Sequence, residues 1–115
     1  SQARLFPGHP QQADAVIEPL PLRDGSATAS MQTLATVLQT MPGVTIVEQR
    51  PDYLYAQAQT RWLRFVDDVE FWGDPAGGVI EVRSASRLGR EDFGVNRQRI
   101  DAVRAAYLAA AVSLR

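Results

Sequence analysis

Two adjacent acids, Asp67 and Asp68, are followed by Arg83, Ser84, Ser86 and Arg87, and then by Asp92, Asn96, Arg97 and Arg99; these are the residues of the chain whose types could do chemistry. Arginine is a planar fork that stays charged and suits carboxylate or phosphate. Arg97 and Arg99 at the start of a helix could therefore form a small anion-binding site, because exposed helix amides also favour negative charge. The same arginines could instead satisfy Asp67, Asp68, Glu91 and Asp92 as a structural network, since a buried acid needs a partner. A third reading makes Asp67 the base of a small enzyme acting on an anionic molecule, with arginines as its clamp. The two aspartates cannot act as a pair, because neighbouring residues of a strand point to opposite faces. His9 is the only histidine, and no spacing brings it to Ser84 or Ser86. Cysteine is absent, which removes thiolate chemistry and Cys-ligated metal. Gly89 and Gly94 fit neither a phosphate loop nor a dinucleotide fingerprint, so no cofactor is expected.

The elements that must position these residues follow from hydrophobic periodicity. Residues 1–25 carry Pro7, Pro10, Pro19 and Pro21 and read as an extended arm, with a short edge strand at Ala15 to Glu18. Residues 26–115 form one domain. Ser26 caps a helix that runs to about Met41, with Met31, Leu34, Leu38 and Met41 on one face, and Pro42-Gly43 stop it. The period then changes to two. Four strands are expected near 44–49, 53–62, 65–72 and 79–86, joined by short turns into an antiparallel meander. Asn96 caps a last helix reaching to near Leu114, with Val95 and Ile100 as a hydrophobic staple and Ile100, Val103, Tyr107, Ala110 and Leu114 as its stripe. An antiparallel sheet that is wet on one face must cover the other, so the expected fold is an α+β two-layer sandwich with both helices on one face.

Composition bounds the partners. The chain has 115 residues, 45% hydrophobic and 22% charged, which suits one globular core. With a net charge of −1 and all 12 cations arginine, no overall positive field draws it to nucleic acid. A GC-rich coding sequence is the favoured cause of the all-arginine cations and of the 16 alanines, since Arg and Lys serve equally well at most surface sites. No apolar run approaches the roughly 18 residues of a membrane span. The chain starts at Ser1 rather than Met, which fits a fragment whose leader or membrane anchor was removed, so the missing targeting signal says little about the natural protein.

Pairing the strands about a tight turn at Leu63-Arg64 sets Trp62 opposite Phe65, Thr60 opposite Asp67, Ala58 opposite Val69, Ala56 opposite Phe71 and Tyr55 opposite Trp72. In the next hairpin Phe71 faces Ile80, Val69 faces Val82 and Asp67 faces Ser84. On the outer face this brings Asp68 beside Arg83 and, less favourably, Glu70 beside Glu81. Thr60, Asp67 and Ser84 then make a polar row on the core face, with Asp67 held by an arginine from residues 87–99 or by the amides near Asn96. Tyr55, Trp72 and Val79 form an apolar row on the solvent face that could dock a partner or lie under the arm.

The run Arg64-Phe65-Val66-Asp67-Asp68-Val69-Glu70-Phe71, with Arg83-Ser84-Ala85-Ser86-Arg87-Leu88-Gly89 and Asp92-Phe93-Gly94-Val95-Asn96-Arg97, resembles the bacterial and plastid family catalogued as domain of unknown function 1499. Many members carry a Cys-containing segment where this chain has Gly8-His9-Pro10-Gln11. The resemblance implies an envelope or periplasmic setting, with membrane attachment through a segment absent from this chain, and no established activity. The function expected is that of a non-enzymatic binding or interaction domain, its partner a protein or a small anionic ligand.

Overall fold

The computed structural model describes residues 17–23, 26–59, 66–86 and 93–113. The chain folds into a five-stranded antiparallel sheet and two helices, an α+β fold. In chain order these are β1 (Leu20–Pro21), α1 (Ala27–Gln39), β2 (Val44–Arg50), β3 (Tyr53–Gln59), β4 (Val66–Asp74), β5 (Val79–Ser86) and α2 (Phe93–Ser113). The sheet order is β1-β5-β4-β3-β2, so four strands form the expected meander and a fifth adds to its far edge.

That fifth strand corrects the four-strand expectation. It pairs Leu20 with Ile80 and Pro21 with Val79, whereas Ile17 and Glu18 carry no strand and residues 15 and 16 lie outside the described residues. A proline lacks the amide for a full ladder, which confines such a strand to an edge and keeps it short. Leu20 is buried, and the Leu22 amide donates to the Gly78 carbonyl at 3.0 Å, so the backbone pairing continues one residue past the strand.

Helix α1 starts as its cap requires. Ser26 has extended backbone and its hydroxyl accepts from the Ala29 amide at 3.0 Å. Met31, Leu34 and Leu38 are buried as one stripe. The helix ends at Gln39, two residues short of Met41, and Gly43 follows with φ of 78°. At Gly43 the chain passes so close to β3 that a Cβ would lie 2.7 Å from the Gln59 carbonyl oxygen. A side chain is excluded there both by conformation and by space.

The alternation in β3, β4 and β5 places Leu54, Ala56, Ala58, Asp67, Val69, Phe71, Ile80, Val82 and Ser84 on one face, all buried. One core cluster joins most of these to Met31, Leu34 and Leu38 of α1 and to Ile100, Val103 and Tyr107 of α2. Two polar latches tie α2 to the first strand and the residue before it: the Tyr107 hydroxyl donates to the Pro21 carbonyl at 2.6 Å, and Arg104 donates to the Pro19 carbonyl at 3.1 Å.

Both hairpin registers differ from the expected ones by two residues. Ala58 faces Asp67, Ala56 faces Val69, Leu54 faces Phe71 and Tyr53 faces Trp72. In the next pair Asp67 faces Ser86, Val69 faces Ser84, Phe71 faces Val82, Gly73 faces Ile80 and Trp72 faces Glu81. A two-residue slip leaves every side chain on its expected face, so apolar patterning alone cannot detect it. The observed register replaces the unfavourable Glu70 and Glu81 neighbours with Glu70 opposite Arg83, an opposite-charge pair. Arg83 consequently faces Glu70 rather than Asp68, which faces Ala85. Thr60, Trp62, Phe65 and the Leu63-Arg64 turn lie outside the described residues.

Candidate functional site

Asp67 is fully buried, and the helix that follows the last strand supplies its cation. Arg99 Nη1 donates to Asp67 Oδ2 at 2.7 Å, and the arginine side chain is itself mostly covered. Asp67 therefore forms an ion pair under the sheet, with an arginine from the expected span of residues 87–99.

The start of α2 corrects a second expectation. The helix begins at Phe93, three residues before Asn96, so Asn96 lies inside it and is not its cap; the side chain of Val95, expected to staple to Ile100, lies outside the described residues. A helix can run through Gly94 at a cost of about 1 kcal/mol, a penalty small enough for the rest of the helix to overrule. Arg97 and Arg99 accordingly lie beyond the first turn, where the dipole no longer bears on them directly. Arg97 is exposed, whereas Arg99 is engaged by Asp67. Arg87 and Asp92 lie outside the described residues, as do the side chains of Ser86 and Asn96. Ser84 is buried on the core face, two residues from where it would oppose Asp67.

The other members of the candidate set lie on the opposite, outer face, in cross-strand rows. One row runs Gln57, Asp68, Ala85; the next Glu48, Tyr55, Glu70, Arg83; the next Arg50, Tyr53, Trp72, Glu81. Hydrogen bonds connect the rows, diagonally from β3 to β4 and along β3 itself. The Tyr53 hydroxyl donates to Glu70 Oε2 at 2.5 Å, the Tyr55 hydroxyl donates to Asp68 Oδ1 at 2.5 Å, and Gln57 Nε2 donates to the Tyr55 hydroxyl at 3.1 Å. Diagonal neighbours of a twisted antiparallel pair are within reach of side chains as long as these.

Arginine completes the lattice. Arg83 pairs with Glu70, and its guanidinium carbon stands 5.4 Å from the centroid of the Trp72 ring. Tyr53 and Trp72 meet at 5.6 Å with their planes tilted by 55°. Arg50 lies over the Tyr53 ring at 4.6 Å and pairs with Glu48 at 3.0 Å. Partial burial is the main cause that raises the Tyr53 phenol above its usual pKa, with the charge of Glu48 adding to it. Burial likewise lowers the Arg83 guanidinium below its ordinary value.

The expected apolar row of Tyr55, Trp72 and Val79 does not form, because the two-residue shifts set Tyr55 opposite Glu70, Trp72 opposite Tyr53 and Val79 opposite Asp74. The conflict between Glu70 and Glu81 is a signal for the pairing of Glu70 with Arg83, since moving that hairpin by two removes it; Tyr53 beside Trp72 depends on the separate register of β3 and β4.

Among the described residues no helix is long and apolar enough to cross a membrane, and no group of three or more acidic or histidine side chains could hold a metal ion. The architecture is that of a small α+β domain with an acid-arginine pair in its interior and an aromatic-carboxylate lattice on its outer sheet face. The chain belongs to the family described as "Protein of unknown function (DUF1499)", whose model matches residues 1–107. No curated protein and no solved structure matches it.

Proposed function

We propose that the chain is a non-enzymatic binding or interaction domain of the cell envelope, and that it meets its partner through the outer face of β3, β4 and β5. In this reading both helices cover the inner face as a second layer, which leaves the outer face for a ligand. The layer arrangement is supported by the single core cluster that helix and inner-face residues share. The envelope setting is supported by the family resemblance.

The observation that carries the proposal is the lattice of Tyr53, Tyr55, Asp68, Glu70, Trp72 and Arg83. Its side chains are held by mutual hydrogen bonds before any partner arrives, so binding costs little conformational entropy. Aromatic residues and arginine are also the types that dominate binding energy at protein surfaces. An anion site built on Arg97 and Arg99 has weaker support, because Arg99 is committed to Asp67.

The test is a ligand panel of peptides, glycan fragments and small anions, applied to the wild type, to the double variant Tyr55→Ala/Trp72→Ala and to Arg97→Ala, each checked by melting. Hits should disappear in the double variant and persist in Arg97→Ala. Hits that survive the double variant and vanish in Arg97→Ala would move the site to α2 and overturn the proposal.

A further inference from the structure

Two guanidinium groups on the outer face occupy the same kind of place. Arg83 has the Trp72 ring on one side and the Glu70 carboxylate beside it. Arg50 has the Tyr53 ring and the Glu48 carboxylate. A ring face and a carboxylate together attract a cation, the one through the ring quadrupole and the other through its charge.

The two places differ in how easily their occupant can leave. The Arg83 and Glu70 side chains are 20% and 19% exposed, whereas those of Arg50 and Glu48 are 58% and 48% exposed. An ion pair so open to water contributes about 0–1 kcal/mol, so Arg50 can be displaced at small cost. The surrounding charge favours a cation, with Glu48, Asp68, Glu70 and Glu81 set against Arg50 and Arg83 on this face. A nucleic acid or an anionic lipid surface brings the wrong charge, and a second copy of the same face repels the first.

We propose that the Tyr53 ring and Glu48 form a recognition site for the arginine or lysine side chains of a basic polypeptide segment, and that the chain's own Arg50 occupies it in the free domain. The inference rests on the reading of the outer face as the interaction surface and names the chemistry of what binds there. Arg50 acts as an internal competitor: the partner's cation takes its place on the ring, and Arg50 turns to solvent.

Calorimetric titration with hexaarginine, with hexaglutamate as the control, tests this on the full chain. Hexaarginine should bind saturably and hexaglutamate should not. Tyr53→Phe should keep the affinity, because it keeps the ring, whereas Tyr53→Ala should weaken binding about fivefold, the size of an exposed cation–π contact. Glu48→Gln should weaken it about threefold. Arg50→Ala should tighten it at least threefold, and by more than Arg97→Ala, which removes the same charge from α2. Absence of hexaarginine binding, equal binding by Tyr53→Ala, or equal gains from Arg50→Ala and Arg97→Ala would overturn the proposal. Arg50→Ala and Glu48→Gln alter exposed side chains, so their outcomes stand even if Tyr53→Ala unfolds. If hexaarginine does not bind while a ligand of other chemistry binds and is lost in Tyr55→Ala/Trp72→Ala, this inference is refuted and the interaction face stands.

Discussion

Replacing Arg99 with methionine should cost the domain a large share of its stability. The change keeps an unbranched apolar side chain and deletes the guanidinium that donates to Asp67 at 2.7 Å. Asp67 is fully buried and the Arg99 side chain is 13% exposed, so the carboxylate loses its cation in a place water does not replace it. Removing one partner of a buried pair typically costs about 3–5 kcal/mol, against about 5–15 kcal/mol for the whole stability of a domain. With an unfolding entropy of about 2.1 cal/mol/K per residue, that loss lowers the melting midpoint of a chain this long by about 12–20 °C. Urea unfolding followed by far-ultraviolet circular dichroism measures the loss, and an unchanged slope would keep it a two-state comparison. Adding Asp67→Leu to Arg99→Met should recover most of it, because an apolar pair of similar volume needs no counter-charge. A single variant within about 1 kcal/mol of the wild type, the range of an exposed pair, would refute the claim that this pair is a buried structural element.

Three further outcomes follow from the same structure. Gly43→Ala should destabilise by about 2 kcal/mol or more, since φ of 78° disfavours a side chain and its Cβ would press on the Gln59 carbonyl; the shift in urea midpoint measures it. Tyr107→Phe removes the hydroxyl that serves the Pro21 carbonyl and should cost about 1–3 kcal/mol, with faster hydrogen exchange at the Leu22 amide as the local sign. The Tyr53 phenol is raised by burial above its usual 10.0, so its contribution is full below pH 10 and is lost as pH rises through the higher folded value. Unfolding midpoints between pH 8 and pH 11 should therefore fall more steeply in the wild type than in Tyr53→Phe.

The presence of both helices, the faces of β3, β4 and β5 and the partner class of Asp67 were legible because each depends on local or periodic chemistry. Ser26 caps α1, Pro42 and Gly43 end it, and a carboxylate among Val69, Phe71 and Val82 calls for an arginine. The registers were not legible, because period-two patterning has the same faces after a two-residue shift and the sequence of residues 60–65 carries no turn signal strong enough to choose. Leu20 and Pro21 were missed as a strand because the prolines beside them argue against a central strand while leaving an edge open. Asn96 drew the start of α2 too late: its capping preference and the penalty at Gly94 are local, and helix formation upstream of them overrode both. The outer lattice was half legible, since Tyr55 and Trp72 stood out as apolar on a wet face, but their bonds depend on the register.

The central claim, that the outer sheet face is where this domain meets its partner, is tested most directly by amide chemical-shift mapping during titration with a bound probe such as hexaarginine. The account predicts that the shifted amides concentrate on Glu48 to Tyr55, Asp68 to Trp72 and Glu81 to Arg83. Shifts that gather instead on the first two turns of α2, around Arg97, with those strands unmoved, would contradict it.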